Sequence, residues 1–169
     1  IESMAKLRPA FKKDGSVTAG NASGLNDGAA ALVLMEASAA AAKGLKPMAK
    51  MLGYATAGVE PSIMGTGPIP AVRKLLDKQS LKIEDIDIWE SNEAFAAQAL
   101  SVTNELALDP EKVNPNGSGI GLGHPIGATG AIMSVKALYE LRRTGGRYAV
   151  ATMCIGGGQG IAVLFENYP

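Results

Sequence analysis

Clustered glycines are the feature that most constrains this chain, because they stand beside its most reactive side chains. Of the 21 glycines in 169 residues, six lie within residues 117–130 and four within residues 156–160. Apolar segments flank both clusters, which is typical of shaped loops rather than of a flexible linker. The first cluster contains the only histidine, His124, and the second follows the only cysteine, Cys154. Bare glycine backbone allows a substrate carbonyl to approach N–H donors closely, so both loops are candidate sites.

The pairing of one thiol with one imidazole indicates thioester chemistry, since these groups are well suited to proton and acyl transfer near neutral pH. Each residue also has an ordinary structural interpretation. His124 lies in a Gly-His-Pro turn, where a histidine can be purely structural, and a lone cysteine such as Cys154 is often a small buried hydrophobe. The three glycines at 156–158 favour a site, because glycine in a strand turn costs stability.

Composition and motif searches exclude several classes of function. Sixteen basic and sixteen acidic residues give no net charge, so we expect no nucleic-acid partner. One histidine and one cysteine predict neither a zinc site nor an internal disulfide, and favour a reducing, cytoplasmic location. No apolar stretch reaches the roughly 18 residues of a membrane span, so we expect no membrane partner. Signatures for dinucleotides, P-loop phosphates and Gly-x-Ser-x-Gly nucleophiles are missing from the sequence.

Short apolar runs alternate with helical patterns, which predicts one α/β unit with a single core. Strands are predicted at residues 29–35, 50–58, 86–89, 148–153 and 161–165. Helices are predicted at residues 37–43, from Pro70 onward, at about 97–106 and at 131–143. The last two strands should be neighbours joined by the second glycine loop.

Four other residues have both a structural and a functional interpretation. Asn92 and Glu93 stand where a strand meets a helix, so Asn92 can be a helix cap, and we interpret Glu93 as structural. Ser23 lies in a small polar turn that its hydroxyl can stabilise. Met64 lies in a Gly- and Pro-rich loop, where it can cover the core.

Five stretches together resemble the C-terminal part of a thiolase: residues 18–28, 64–70, 92–95, 123–130 and 154–158. They occur in the family's order and cover nearly the whole chain. The resemblance implies a layered α/β fold of the thiolase type. Residues 1–43 would then be a remnant of the N-terminal half, with its last strand and helix, and residues 44–169 the C-terminal domain.

The resemblance implies catalytic roles for four residues. His124 would activate the acyl-accepting cysteine and contribute to an oxyanion hole, and Cys154 would remove the α-proton of acetyl-CoA. Asn92 would hold a water that stabilises the enolate oxygen together with the histidine. The backbone N–H of Gly156 would be a donor of a second oxyanion hole.

The resemblance also implies substrate contacts and partners. Ala19 and Ser23 would contact the pantetheine arm of CoA, and Met64 and Phe95 would close the acyl pocket. CoA thioesters would be substrates, with no metal and no cofactor. The implied reaction condenses two acetyl-CoA into acetoacetyl-CoA and CoA, or runs the reverse thiolysis, in a dimer or tetramer.

The sequence departs from the family pattern at its cysteines. Thiolases use two catalytic cysteines, whereas this chain has only Cys154, which matches the acid/base position. We therefore expect a fragment or one piece of a split enzyme, inactive alone, whose nucleophile comes from the N-terminal half. The alternatives are a longer-chain 3-ketoacyl-CoA thiolase of β-oxidation and fatty acid metabolism, or a noncatalytic binding module. Ketosynthases are disfavoured, because they rely on a Cys-His-His set and this chain has one histidine.

Overall fold

A four-stranded mixed sheet organises the chain, which the structure, a computed structural model, describes over residues 2–168. Its strands are β1 (Ala49–Gly58), β2 (Ile88–Ser91), β3 (Tyr148–Ile155) and β4 (Gln159–Asn167). Their order across the sheet is β1-β4-β3-β2. Strand β4 is antiparallel to both β1 and β3, whereas β2 and β3 are parallel. The predicted pairing of the last two strands across the glycine turn is confirmed.

Within the described residues, five α-helices accompany the sheet: α1 (Ala37–Ala42), α2 (Pro68–Gln79), α3 (Ala96–Glu105), α4 (Gly119–Leu122) and α5 (Thr129–Thr144). Helix α2 begins with a proline, whose fixed φ suits a first helical position, and it ends where Ser80 turns left-handed at φ 53°. Helix α5 ends at Gly145, which has φ 73°. Within residues 2–168, no helix is both long and apolar enough to cross a membrane.

The sheet lies between two layers of helices. Trp89 and Val150 pack with Leu75 of α2 in the larger core, on the face that α2 and α3 cover. Their strand neighbours Ile88 and Ala149 belong to a smaller core with α5. Successive strand residues point to opposite faces, so this alternation places α2 and α5 on opposite sides of the sheet.

Two glycines allow the loop before α2 to cross the start of β4. A Cβ at Gly67 would lie 2.6 Å from the carbonyl carbon of Gln159. A Cβ at Gly160 would lie 2.6 Å from the backbone nitrogen of Pro68. Real Cβ atoms do not approach backbone this closely, so the crossing requires glycine on both sides.

The predicted strand at residues 29–35 is wrong. Residues 29–36 form neither helix nor strand, and all of residues 24–38 are exposed. Leu25 and Val33 are among the most exposed apolar side chains, at 88% and 92%. An apolar run forms a strand only where another strand can pair with it, and among residues 2–168 no strand pairs with this segment. The helix that follows is confirmed, although it ends one residue earlier than predicted.

Candidate active site

Two parallel strands end at the same edge of the sheet and bring Asn92 and Cys154 to one region. Ser91 of β2 lies opposite Thr152 of β3. Just beyond this pair, the backbone N–H of Asn92 donates to the Thr152 carbonyl oxygen at 3.0 Å. Cys154 follows two residues after Thr152 on β3. The carboxyl ends of parallel strands are the usual position for a site in α/β folds.

The glycine loop begins against the edge of β2, where Asn114 attaches it. The backbone N–H of Asn114 donates to the Trp89 carbonyl oxygen at 2.8 Å. Its side chain accepts from the Ser91 N–H at 2.9 Å and donates to the Ser91 carbonyl oxygen at 2.8 Å. Asn114 also donates to Oε1 of Glu93 at 3.4 Å, which supports the structural interpretation of Glu93. These contacts fix the loop's starting point relative to Asn92.

Helix α4 then brings His124 into contact with Asn92. A Cβ at Gly119, the first residue of α4, would lie 3.1 Å from Oδ1 of Asn92, so helix and side chain are closely packed. Beyond the helix, Nε2 of His124 lies 3.5 Å from Nδ2 of Asn92. Asn92 is buried and His124 half-buried. The capping interpretation of Asn92 is wrong, because the residue before α3 is Phe95, without a side-chain cap bond.

The opposite edge of the His124 ring contacts the start of α5. Nδ1 of His124 lies 2.7 Å from Oγ1 of Thr129, whose hydroxyl donates to the Pro125 carbonyl oxygen at 2.9 Å. The backbone N–H of His124 donates to Oδ1 of Asn26 at 3.1 Å. Burial lowers the pKa of His124 from its ordinary value near 6.5, so the ring is neutral at pH 7. A neutral imidazole can accept a proton.

Cys154 is half-buried on β3 opposite Gly160, two residues before the glycine turn begins at Gly156. Burial raises the pKa of its thiol, so the group is protonated at neutral pH and suits a proton donor. In the turn, Gly157 and Gly158 adopt φ of 88° and 89°. Gly156 is exposed, and a Cβ there would meet nothing within 4 Å. The backbone at this position is therefore open to a ligand.

The sequence-predicted substrate contacts lie on three segments of the chain. The backbone N–H and hydroxyl of Ser23 donate to the Ala94 carbonyl oxygen at 2.9 and 3.0 Å, next to Phe95. Phe95 packs edge-on against Phe11, with 5.8 Å between ring centroids. Ala19 is exposed in a turn before this contact. Ser23 and Phe95 thus lie on adjoining segments at the end of β2.

Met64 is half-buried in the short 3-10 helix Pro61–Thr66 that precedes α2. A Cβ at Gly65 would lie 2.6 Å from Cγ of Gln98, so this helix packs directly against α3. The interpretation of Met64 as a residue covering core fits this position.

The larger surface groove does not contain the candidate residues. It has a volume of about 540 Å³, lies between α2 and α3, and is lined by residues such as Ile69 and Ser101. A second groove of about 430 Å³ separates residues 26–30 from the loop after His124. The second groove adjoins the site, and the exposed segment forms one of its walls.

Comparison with known proteins identifies the family. A family model described as the C-terminal domain of thiolase matches residues 45–167, and one described as the N-terminal domain matches residues 1–38. The chain belongs to the thiolase family. Within that family it is 63% identical over 168 residues to the beta-ketothiolase BktB of Cupriavidus necator, covering 99% of this chain and 43% of that protein. It is 55% identical to an acetyl-CoA acetyltransferase of Shinella zoogloeoides, with 99% and 43% covered.

Solved thiolase structures share the fold of this chain. The crystal structure of the Bacillus anthracis acetyl-CoA acetyltransferase superposes with a TM-score of 0.95 at 59% identity, covering 98% of this chain and 42% of that one. Human mitochondrial 3-ketoacyl-CoA thiolase, solved in complex with CoA, superposes with a TM-score of 0.91 at 45% identity, covering 99% and 43%. This thiolase chain spans less than half the length of the relatives that it matches.

Sequence reasoning missed several residues that surround the candidate site. Thr129 contacts the His124 ring, and Asn114 attaches the glycine loop to β2. Glu90 and Lys136 form a buried ion pair next to these elements. Glu90 could have been recognised from the sequence, because a carboxylate directly after an apolar strand run is unusual unless it has a partner. Thr129 gave no comparable signal beyond its position at the end of the glycine loop.

Proposed function

We propose that this chain is the C-terminal part of an acetyl-CoA C-acetyltransferase. The reaction condenses two acetyl-CoA into acetoacetyl-CoA and CoA, and thiolysis is its reverse. The observation that carries the proposal is the contact between His124 and Asn92 at the sheet edge where Cys154 also lies. CoA thioesters are the substrates, and the chemistry needs no cofactor.

His124 is the proton acceptor in the acylation step of this proposal. Its Nε2 takes the proton of a nucleophilic thiol, and the resulting thiolate attacks the thioester carbonyl. The intermediate collapses to the acyl-enzyme, and the departing CoA thiolate takes the proton of the Cys154 thiol. In the condensation step, Nε2–H and a water on Nδ2 of Asn92, 3.5 Å away, form the donor pair for the enolate oxygen. Neutral His124, with its pKa lowered by burial, starts in the proton-accepting form.

Cys154 exchanges the α-proton of the second acetyl group in this proposal. As a thiolate it removes the proton during condensation, and as a thiol it returns the proton during thiolysis. Its raised pKa favours the thiol, so the thiolate is a strong base once it forms. The N–H of Gly156 is proposed as a donor to the tetrahedral intermediates, since the backbone there is open on its side-chain face.

Substrate binding is assigned to the segments around these groups. Ala19 and Ser23 are proposed to contact the pantetheine arm, and Met64 and Phe95 to close the acyl pocket. Ser23 is supported in this position by its two bonds to Ala94, next to Phe95.

The nucleophilic cysteine is proposed to come from the first half of a complete thiolase. We assign residues 1–43 to that half and residues 44–169 to the C-terminal domain. The exposed apolar residues 29–35 support the proposal, because an exposed apolar run of this kind marks a surface that another part of a protein covers. We further propose a cytoplasmic enzyme that assembles as a homodimer or homotetramer.

A longer-chain 3-ketoacyl-CoA thiolase is the second candidate function. It is supported by the likeness to the human mitochondrial 3-ketoacyl-CoA thiolase, at a TM-score of 0.91. Thiolysis of 3-ketoacyl-CoA substrates of increasing chain length separates the two. A kcat/KM that is highest for acetoacetyl-CoA supports the acetyltransferase, and one that rises with chain length supports the alternative.

The roles are tested in the complete enzyme by acyl-enzyme bursts and by exchange of acetyl-CoA methyl protons with deuterated solvent. Cys154→Ala should retain the burst but lose exchange and condensation by roughly 10²–10⁴-fold, the range typical of acid–base catalysis. His124→Ala should impair the burst as well, and Asn92→Ala should mainly slow exchange. If Cys154→Ala abolishes acylation while His124→Ala spares it, the assigned roles are reversed and the mechanism fails.

A further inference from the structure

A buried ion pair lies beside the proposed site without belonging to it. Glu90 lies on β2, two residues before Asn92 in the sequence, and its side chain is 0% exposed. The side chain of Lys136 on α5 is 17% exposed. Their Oε2 and Nζ atoms are 2.7 Å apart, and Oε1 of Glu90 has no hydrogen-bond partner within residues 2–168. Burying such a pair is costly, and apolar side chains of similar size often stabilise a protein equally well. Stability alone therefore does not account for it.

Lys136 makes a second contact that links the pair to the glycine loop. Its Nζ also donates to the carbonyl oxygen of Gly117. Gly117 has φ 79° and closes a turn with Asn114, to whose carbonyl oxygen it donates at 2.9 Å. One ammonium group therefore connects β2, α5 and the start of the loop that leads to His124.

Lys136 joins the two segments that carry Asn92 and His124, whose side chains are in contact in the proposed site. Asn92 continues from β2, and His124 ends the loop that starts at Gly117. Their nitrogen atoms are 3.5 Å apart, at the outer limit of a hydrogen bond, so a shift of a fraction of an ångström would separate them.

We propose that Lys136, held by Glu90, is a positioning residue that sets the distance between Asn92 and His124. The inference rests on the proposed thiolase function. Removing the pair should impair enolate formation, the step that uses both residues, and should lower kcat. The KM for the thioester should change little, because the proposed CoA contacts at Ala19 and Ser23 belong to another segment.

The test compares complete enzymes carrying no substitution, K136M, and E90M/K136M. The single variant leaves a buried carboxylate unpaired and should melt at a lower temperature than the double variant, which has no buried charge. In the double variant, kcat for thiolysis of acetoacetyl-CoA should fall roughly tenfold to a hundredfold, which is the effect expected when catalytic groups are displaced by a fraction of an ångström to about one ångström. The KM should stay within about twofold of the unsubstituted enzyme. K74M is the matched control, because Lys74 joins α2 to the Thr56 carbonyl oxygen at 3.2 Å, on the sheet face opposite α5.

A folded double variant with the kcat of the unsubstituted enzyme overturns the positioning role, and so does an equal loss in K74M. If the double variant has no cooperative melting transition, E90Q takes its place, because it preserves shape and an acceptor for Lys136 while removing the charge. E90Q should lower kcat several-fold at unchanged KM, and an unchanged kcat overturns the inference. An inactive unsubstituted enzyme would instead refute the proposed function itself.

Discussion

Thr129 fixes the orientation of the His124 ring through a two-step chain of hydrogen bonds. Nδ1 of His124 lies 2.7 Å from the Thr129 hydroxyl oxygen, and that hydroxyl donates to the Pro125 carbonyl oxygen at 2.9 Å. A hydroxyl has a single proton, so Nδ1 must be the donor if both bonds form. We assign the neutral ring as the Nδ1–H form, with Nε2 free to accept a proton on the side of Asn92.

This assignment predicts that Thr129→Val lowers the rate of acylation in the complete enzyme. Valine keeps the shape of threonine but leaves Nδ1 without an acceptor, so the proton can move to Nε2. The loss should be about tenfold, equivalent to 1.4 kcal/mol. Thr129→Ser is the control and should retain most of the burst rate, since it keeps the hydroxyl. Equal burst rates in the valine and serine variants would contradict the assignment.

The raised pKa of Cys154 predicts slow alkylation at neutral pH. The thiolate is the reactive form, and burial raises the thiol pKa above its ordinary value near 9.0. Reaction with iodoacetamide, followed by mass spectrometry of the tryptic peptide 148–169, should therefore accelerate only at higher pH than in the guanidinium-unfolded protein. Faster alkylation of the folded than of the unfolded protein at pH 7 would refute the inferred protonation state.

The environment of Glu140 predicts that the folded protein loses stability at acid pH. Hydrogen bonds from Arg143 and Asn116 lower the pKa of this carboxyl to about 2, from its usual value near 4.5. Its contribution to the free energy of unfolding is therefore complete above about pH 4.5 and is lost as the pH falls toward 2. Glu140→Gln should lower the melting temperature at pH 7 and flatten its fall below pH 4.5.

Glu105→Gln is the control for this titration. The Arg73–Glu105 pair is open to solvent, with side chains 55% and 57% exposed, and such pairs contribute little. A Glu140→Gln variant whose melting curve follows the Glu105→Gln variant at every pH would show that the Glu140 bonds have no such effect.

The exposed apolar segment predicts poor solubility of the 169-residue chain by itself. Val33 and Leu34 are 92% and 71% exposed, and such a run promotes association. Deleting residues 1–43, or adding the N-terminal half of a thiolase, should increase the monomeric fraction in analytical ultracentrifugation. A monodisperse, stable 169-residue chain would contradict this expectation.

Sequence patterns predicted helices and strands best where the residues of the segment itself determine its secondary structure. The prediction of a helix at 131–143 is confirmed by α5, but only some of its apolar residues are buried. Met133, Ala137 and Leu141 face the core, whereas Ile132 and Val135 are only half-buried. Periodicity indicates that a helix is amphipathic, but which residues it buries depends on the sheet that it meets.

By contrast, the structure of residues 29–35 and the contacts of His124 depend on other parts of the chain. Strand formation depends on a neighbour, and an apolar run carries no information about whether one is present. The bond from His124 to Thr129 spans five residues and the contact with Asn92 spans 32, so neither could be inferred from local spacing. The reactive residue types were visible in the sequence, but the groups that orient them were not.

The backbone crossing at Gly67 and Gly160 restricts how this protein can evolve. Each missing Cβ would meet backbone atoms of the other segment rather than a flexible side chain, so no neighbouring substitution can make room. Replacing either glycine therefore requires the 3-10 helix that contains Met64 to move away from β4. If Met64 closes the acyl pocket as proposed, changes in acyl preference through this helix must arise at positions other than Gly67, because neither Gly67 nor Gly160 tolerates a single substitution.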